Sequence, residues 1–111
     1  MIIEMNAAYL DFINNYIDMQ AANTKNSDKY FHCKANCEAA SHGAIGYTIS
    51  IGISEIREIS DEYIKKDSAE DCNADRAAND YGRRGGSRKS NGVSCQQICD
   101  KYRPNGLPSN Y

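Results

Sequence analysis

With 111 residues, 41% of them hydrophobic and 25% charged, the chain suits one globular domain and is too apolar for a disordered segment. A formal net charge of −2 argues against the basic footprint of a nucleic-acid binder. No apolar run reaches membrane-spanning length, and MIIEMNAAYLDF lacks the positive start and clean apolar core of a signal peptide.

Tyr9, Phe12, Tyr16 and Met19 recur at 3-4-3 spacing, and Leu10, Ile13 and Ile17 widen the stripe. This period predicts a first helix over residues 4–23. Tyrosine offers apolar area plus a hydroxyl, so Tyr9, Phe12 and Tyr16 form the expected partner or ligand face. An apolar helix of this kind also makes a homo-oligomer plausible.

The polar run Asn23–Ser27 breaks the pattern. Ser27 is the expected N-cap of a second helix over 28–41, with Asp28 at its positive end and His42-Gly43 as its stop. The third segment, 44–65, carries Ile45, Ile49, Gly52, Ile56, Ile59 and Tyr63 at 4-3-4-3-4 spacing. TISIGIS also alternates like a strand, but the stripe runs past a strand's usual length and favours helix. Its Ile and Thr content makes it intrinsically weak, so it depends on its packing partners. Gly52 is expected to admit a neighbouring helix, at about 1 kcal/mol relative to Ala.

Ser68 with Asp71 resembles a capping box and opens a fourth helix over 68–82, whose apolar face is Ala74, Ala77, Ala78 and Tyr81. Gly82 and the Arg-Arg-Gly-Gly run are expected to stop it. Residues 83–93 read as loop. Their cations Arg83, Arg84, Arg88 and Lys89 are expected to be solvated, with an anion contact as the sharper alternative. A short helix over 94–101 and an extended tail over 102–111 complete the chain. The fold class is all-α: a single-domain, small four-helix bundle spanning residues 1–111.

A family resemblance accompanies this reading. SDKYFH, Asn36, Ala39-Ala40, Ile53-Ser54, Arg57-Glu58, AED before Ala74-Asp75, Ala77-Ala78-Asn79, Gly82-Arg83 and the tail RPNGLP ending in Tyr resemble the serum amyloid A family. So does Tyr16-x-Asp18-Met19-x-x-Ala22-Asn23. The likeness runs in order over roughly residues 16–111. It implies a four-helix bundle whose C-terminal tail wraps the helices. The chain departs from the animal family at His42–Gly46, where a Gly-Pro-Gly-Gly stretch is usual, in its cysteines, and in an insertion of about Ser87 to Asp100.

Cysteine-bearing versions of this pattern also look like C-terminal domains of bacterial Rhs/YD-repeat proteins. That likeness implies a toxin or effector for interbacterial competition. It would be delivered into target cells as part of a larger secreted protein, with a cognate immunity protein as partner. The alternative, implied by the animal family, is a lipid- or small-apolar-ligand-binding module. Arg57, Glu58, Asp75, Asn79 and Arg83 fit both settings, so they are expected to form a structural polar network between helices and tail.

Cys33 and Cys37 lie one helical turn apart, and Cys95 and Cys99 repeat the spacing. Two such units can pair through two disulfides, as Cys33–Cys99 with Cys37–Cys95 if the helices are antiparallel, or Cys33–Cys95 with Cys37–Cys99 if parallel. The antiparallel pairing is favoured. Four thiolates could instead bind zinc, but structural zinc sites more often use C-x2-C knuckles. Free thiols are the remaining alternative. Cys72 reads as a small buried residue.

The motifs of hydrolases, phosphate loops, zinc proteases and EF-hands are missing. A catalytic site would have to be assembled from His32, Glu38, His42 and Arg57, chosen on residue type alone. Asp61, Glu62, Asp67, Glu70 and Asp71 read as a solvated acidic face. No cofactor or metal is expected.

Overall fold

The computed structural model describes residues 2–63 and 68–111. Among them, five α-helices run in the order α1 (Ile2–Ala22), α2 (Asp28–Ala40), α3 (Ala44–Tyr63), α4 (Ala69–Arg88) and α5 (Cys95–Ile98). A 3-10 turn over Asp100–Tyr102 and an extended tail follow. No strand occurs among the described residues, so TISIGIS is helical. Residues 64 and 65, at the expected end of the third helix, and Asp67 of the acidic run lie outside the described residues. So do the side chains of Ile59, Asp61, Glu62 and Tyr63.

Helix α2 is the centre of the bundle. Nine of its residues are buried, from Tyr30 to Ala40, because α1, α3, α4 and α5 all pack on it. The α1–α2 turn places Asn23 and Asn26 at φ of 44° and 63°, a left-handed region that Asn tolerates better than most residues. Ser27 precedes α2 but does not cap it. Its backbone is already helical, its side chain makes no cap hydrogen bond, and it is buried. Ser68 and Ser94 do cap, accepting from Asp71 N and Gln97 N, and Ser94 closes a full capping box with Gln97.

Helix α3 turns its isoleucines differently from the expectation. The face toward the bundle is Gly46, Ser50, Ser54 and Glu58, spaced by four, and all are buried. Ile56 is 71% exposed. The small inward residues matter because they leave room for polar side chains from the neighbouring helices. A Cβ at Gly46 would strike the Ala39 carbonyl, whereas one at Gly52 would meet nothing. Gly52 therefore admits no neighbour, and the close approach lies at Gly46.

Helix α4 does not stop at Gly82. It continues to Arg88, so the first part of the expected loop over 83–93 is helical and Arg83 is buried. Gly82 and Gly86 sit one turn apart and face α2. A Cβ on either would collide with the carbonyl oxygen of Cys33 or Cys37 respectively. Close packing of two backbones thus overrides the poor helix propensity of glycine.

The side chains of the same two cysteines reach the other way. Cys33 is bonded to Cys99 and Cys37 to Cys95, the antiparallel pairing, and no zinc or free-thiol arrangement of these four applies. Cys72 is free and buried. The disulfides sit in one apolar cluster with Tyr30, Phe31 and Leu107. The short helix expected over 94–101 is split into α5 and the 3-10 turn.

Arg103 fastens the tail. It donates to the carbonyls of Tyr111 (2.7 Å), Pro108 (2.7 Å) and Leu107 (3.4 Å), and to the Tyr30 hydroxyl (3.3 Å). Charged donors make stronger hydrogen bonds than neutral ones, so Arg103→Ala should cost about 2 kcal/mol. Carboxypeptidase digestion should then remove the tail faster than from the parent chain.

Candidate functional site

The inward side of helix α1 mixes polar and apolar residues, with Met19 and Ala22 packed on the apolar core. Glu4, Ala8, Asp11 and Asn15 follow 4-3-4 spacing, the same period as the apolar stripe, and they face the bundle. Asn15 is buried. It donates to Glu38 Oε1 at 2.6 Å and to the Asp11 carbonyl at 2.8 Å, and its Oδ1 accepts from Lys34 at 3.2 Å. Lys34 also pairs with Glu38 at 3.2 Å. One to two turns away, His42 Nε2 lies 2.7 Å from Asp11 Oδ2. Burial raises the Asp11 pKa, and the hydrogen bond to His42 works against that shift.

The outward side of α1 is apolar. Ile2, Ile3, Leu10, Ile13 and Ile17 are each more than half exposed, and Tyr9 and Tyr16 are nearly so. Of the expected contact face, Tyr9 and Tyr16 are therefore outside, whereas Phe12 is half-buried against α2. Helix α3, which packs on α1, adds exposed Ile51 and Ile56. The α1 helix contains no Lys or Arg.

A second polar system lies between α2, α3 and α4. Arg83 donates to Ser50 Oγ and to Asn36 Oδ1, each at 3.0 Å. Asn36 Oδ1 also accepts from Ser54 at 2.9 Å, and Asn36 Nδ2 donates to Asn79 Oδ1 at 3.1 Å. Burial lowers the Arg83 pKa. Glu58 is fully buried, and Asp75 faces Lys29 at 3.4 Å and His32 Nε2 at 3.9 Å. Burial raises the Asp75 pKa, partly offset by Lys29. Asn36, Ser50 and Ser54 had no place in the expected network. Only the four-residue spacing of Ser50 and Ser54 hinted at a shared face.

The four residues considered for catalysis are distributed among these contacts. Glu38 and His42 belong to the α1–α2 clip. Arg57 lies 5.4 Å above the Tyr16 ring. His32 and Arg57 both line a small cavity of about 10 Å³ with Phe12, Tyr16 and Phe31.

Comparison with known proteins places these features. The family model described as "Serum amyloid A protein" matches residues 2–111. Serum amyloid A-3 of Oryctolagus cuniculus is 40% identical over 101 residues, covering 91% of this chain and 73% of the relative. Serum amyloid A of Canis lupus familiaris is 41% identical over 108 residues, covering 91% and 75%. The protein of Anas platyrhynchos is 39% identical over 101 residues, covering 91% and 71%. These matches overturn the expectation of a bacterial Rhs-type toxin with an immunity partner, because 91% of the chain aligns with serum amyloid A proteins of vertebrates. The chain belongs to the serum amyloid A family.

Proposed function

We propose that this chain is a secreted lipid- or small-apolar-ligand-binding protein of serum amyloid A type, and that the outward face of α1 is its contact surface. The observation that carries this reading is the row Leu10, Ile13 and Ile17, each more than half exposed, on a helix whose Asp11 and Asn15 are turned toward the bundle. A folded protein keeps such a face in water only at a cost, and contact with acyl chains removes it. The two disulfides support an oxidising, extracellular setting. Among the described residues no helix is long and apolar enough to cross a membrane, which fits a helix lying in the lipid surface.

Because α1 has no cations and carries Glu4, Asp11 and Asp18, attraction to anionic headgroups contributes little. The protein should therefore float with phosphatidylcholine vesicles, and raising the salt concentration should not release it. Leu10→Ser combined with Ile13→Ser should abolish flotation while leaving the circular dichroism spectrum unchanged. Absence of flotation at both low and high salt would refute the reading.

A further inference from the structure

We propose that the groove between α4 and the α5 segment binds a small aromatic carboxylate. The groove has a volume of about 660 Å³ and is floored by Tyr81 of α4, Ile98 of α5 and Tyr102 of the 3-10 turn. That volume lies within the range of sites for small ligands. Ile98 lies against Gly85, where no space remains for a Cβ, so the two helices close the bottom of the groove. Cys95 and Cys99 flank Ile98 and bond this segment to α2, so the wall is fixed before any ligand arrives.

The floor is aromatic and apolar, but the edge is cationic. Tyr81 and Tyr102 meet edge to face, with ring centroids 5.6 Å apart. The Lys101 ammonium lies 4.5 Å from the first centroid and 5.2 Å from the second, which places it beside the groove. Arg84 and Arg88 line the groove itself, one helical turn apart on α4. Asp80 is the one carboxylate among the described lining residues, and it pairs with Arg84 at 3.0 Å. Neither Arg88 nor Lys101 has a carboxylate partner among the described residues. The charge that this edge accepts is therefore negative, although the chain as a whole carries a net charge of −2. A flat ring extends the tyrosine pair, and a carboxylate on that ring meets Arg88 and Lys101. A neutral apolar ligand leaves both cations unused, and a cationic one is repelled by them.

Helix α1 contributes no residue to the groove, so this site goes beyond the lipid-facing surface and the two can fail separately. Calorimetric titration of the oxidised protein with naphthoate should show a single site per chain. Naphthylmethanol, the same ring without the charge, should bind about tenfold more weakly or worse. Naphthoate should lose about the same factor on the variant combining Arg88→Gln with Lys101→Gln. Both side chains are exposed, so that variant should melt close to the parent temperature. Added salt should weaken naphthoate binding, in contrast to vesicle flotation. Leu10→Ser combined with Ile13→Ser should leave the affinity for naphthoate unchanged. In the unmodified protein, naphthoate should move the methyl NMR signals of Ile98 and not those of Ile13. No binding heat, no movement at Ile98, equal affinity for naphthylmethanol, or tighter binding of octanoate than of naphthoate would each overturn the proposal.

Discussion

Replacing Cys95 and Cys99 together with serine should destabilise the fold by about 4 kcal/mol or more, the largest loss expected from any pair of substitutions. The two bonds join residues 66 and 58 positions apart. Closing a loop of that length lowers the entropy of the unfolded chain, and in the chain-entropy model either bond alone is worth about 4 kcal/mol. The second bond is nested inside the loop of the first and adds less. Breaking only Cys37–Cys95 should therefore cost much less than breaking both. For a domain near this size, 4 kcal/mol corresponds to a fall in melting temperature of roughly 15 °C or more. Thermal unfolding of the two variants, with and without reductant, checks the sizes and their order. Equal losses from both variants would contradict the nested arrangement.

The second large effect comes from a reversal of sign among glycines. Gly52→Ala should stabilise the protein by about 0.5–1 kcal/mol, because the position is helical, exposed and open. Gly82→Ala should destabilise it by about 2–3 kcal/mol, although alanine is the better helix former. The methyl group at Gly82 meets a backbone carbonyl of α2, which cannot rotate aside as a side chain could. Gly86→Ala should behave like Gly82→Ala. Urea denaturation of the three variants measures all of these differences on one scale.

Those glycines show where reading from sequence stopped. The Gly82-Arg-Arg-Gly-Gly run carries the marks of a helix end, and propensity alone ends α4 there. What extends the helix is a neighbour brought close by the fold, and one chain's propensities contain no record of that. The same reason misplaces Gly52, which has the spacing of a packing glycine and no partner. In α3 the period was legible but the direction was not: apolar stripes ordinarily face inward, yet Ser50, Ser54 and Glu58 take that side. In α1 the expected contact face is split, with Tyr9 and Tyr16 exposed and Phe12 half-buried. By contrast, the two C-x3-C units were informative. Four residues is one helical turn, so two such pairs can meet only in a few ways, and the structure contains the antiparallel one. The all-α bundle followed from spacing, and the family from the ordered run of residues beginning near Tyr16. The toxin assignment failed because it rested on the cysteines, which stabilise this fold and say little about its target.

The disulfides also divide the molecule into two parts that proteases would treat differently. A cut anywhere between residues 38 and 94 leaves the two pieces covalently joined through the bonds at Cys33 and Cys37. Helix α1 lies outside that ring. A single cut in the Asn23–Asn26 turn, where Asn23, Lys25 and Asn26 are exposed, severs it from everything else. What then holds α1 in place is the hydrogen bonding of Asn15 to Glu38 and Lys34 and of Asp11 to His42, together with the packing of Met19 and Ala22 on the core. The helix bearing the apolar face, like the tail beyond Cys99, thus lies outside the part of the chain that the disulfides close.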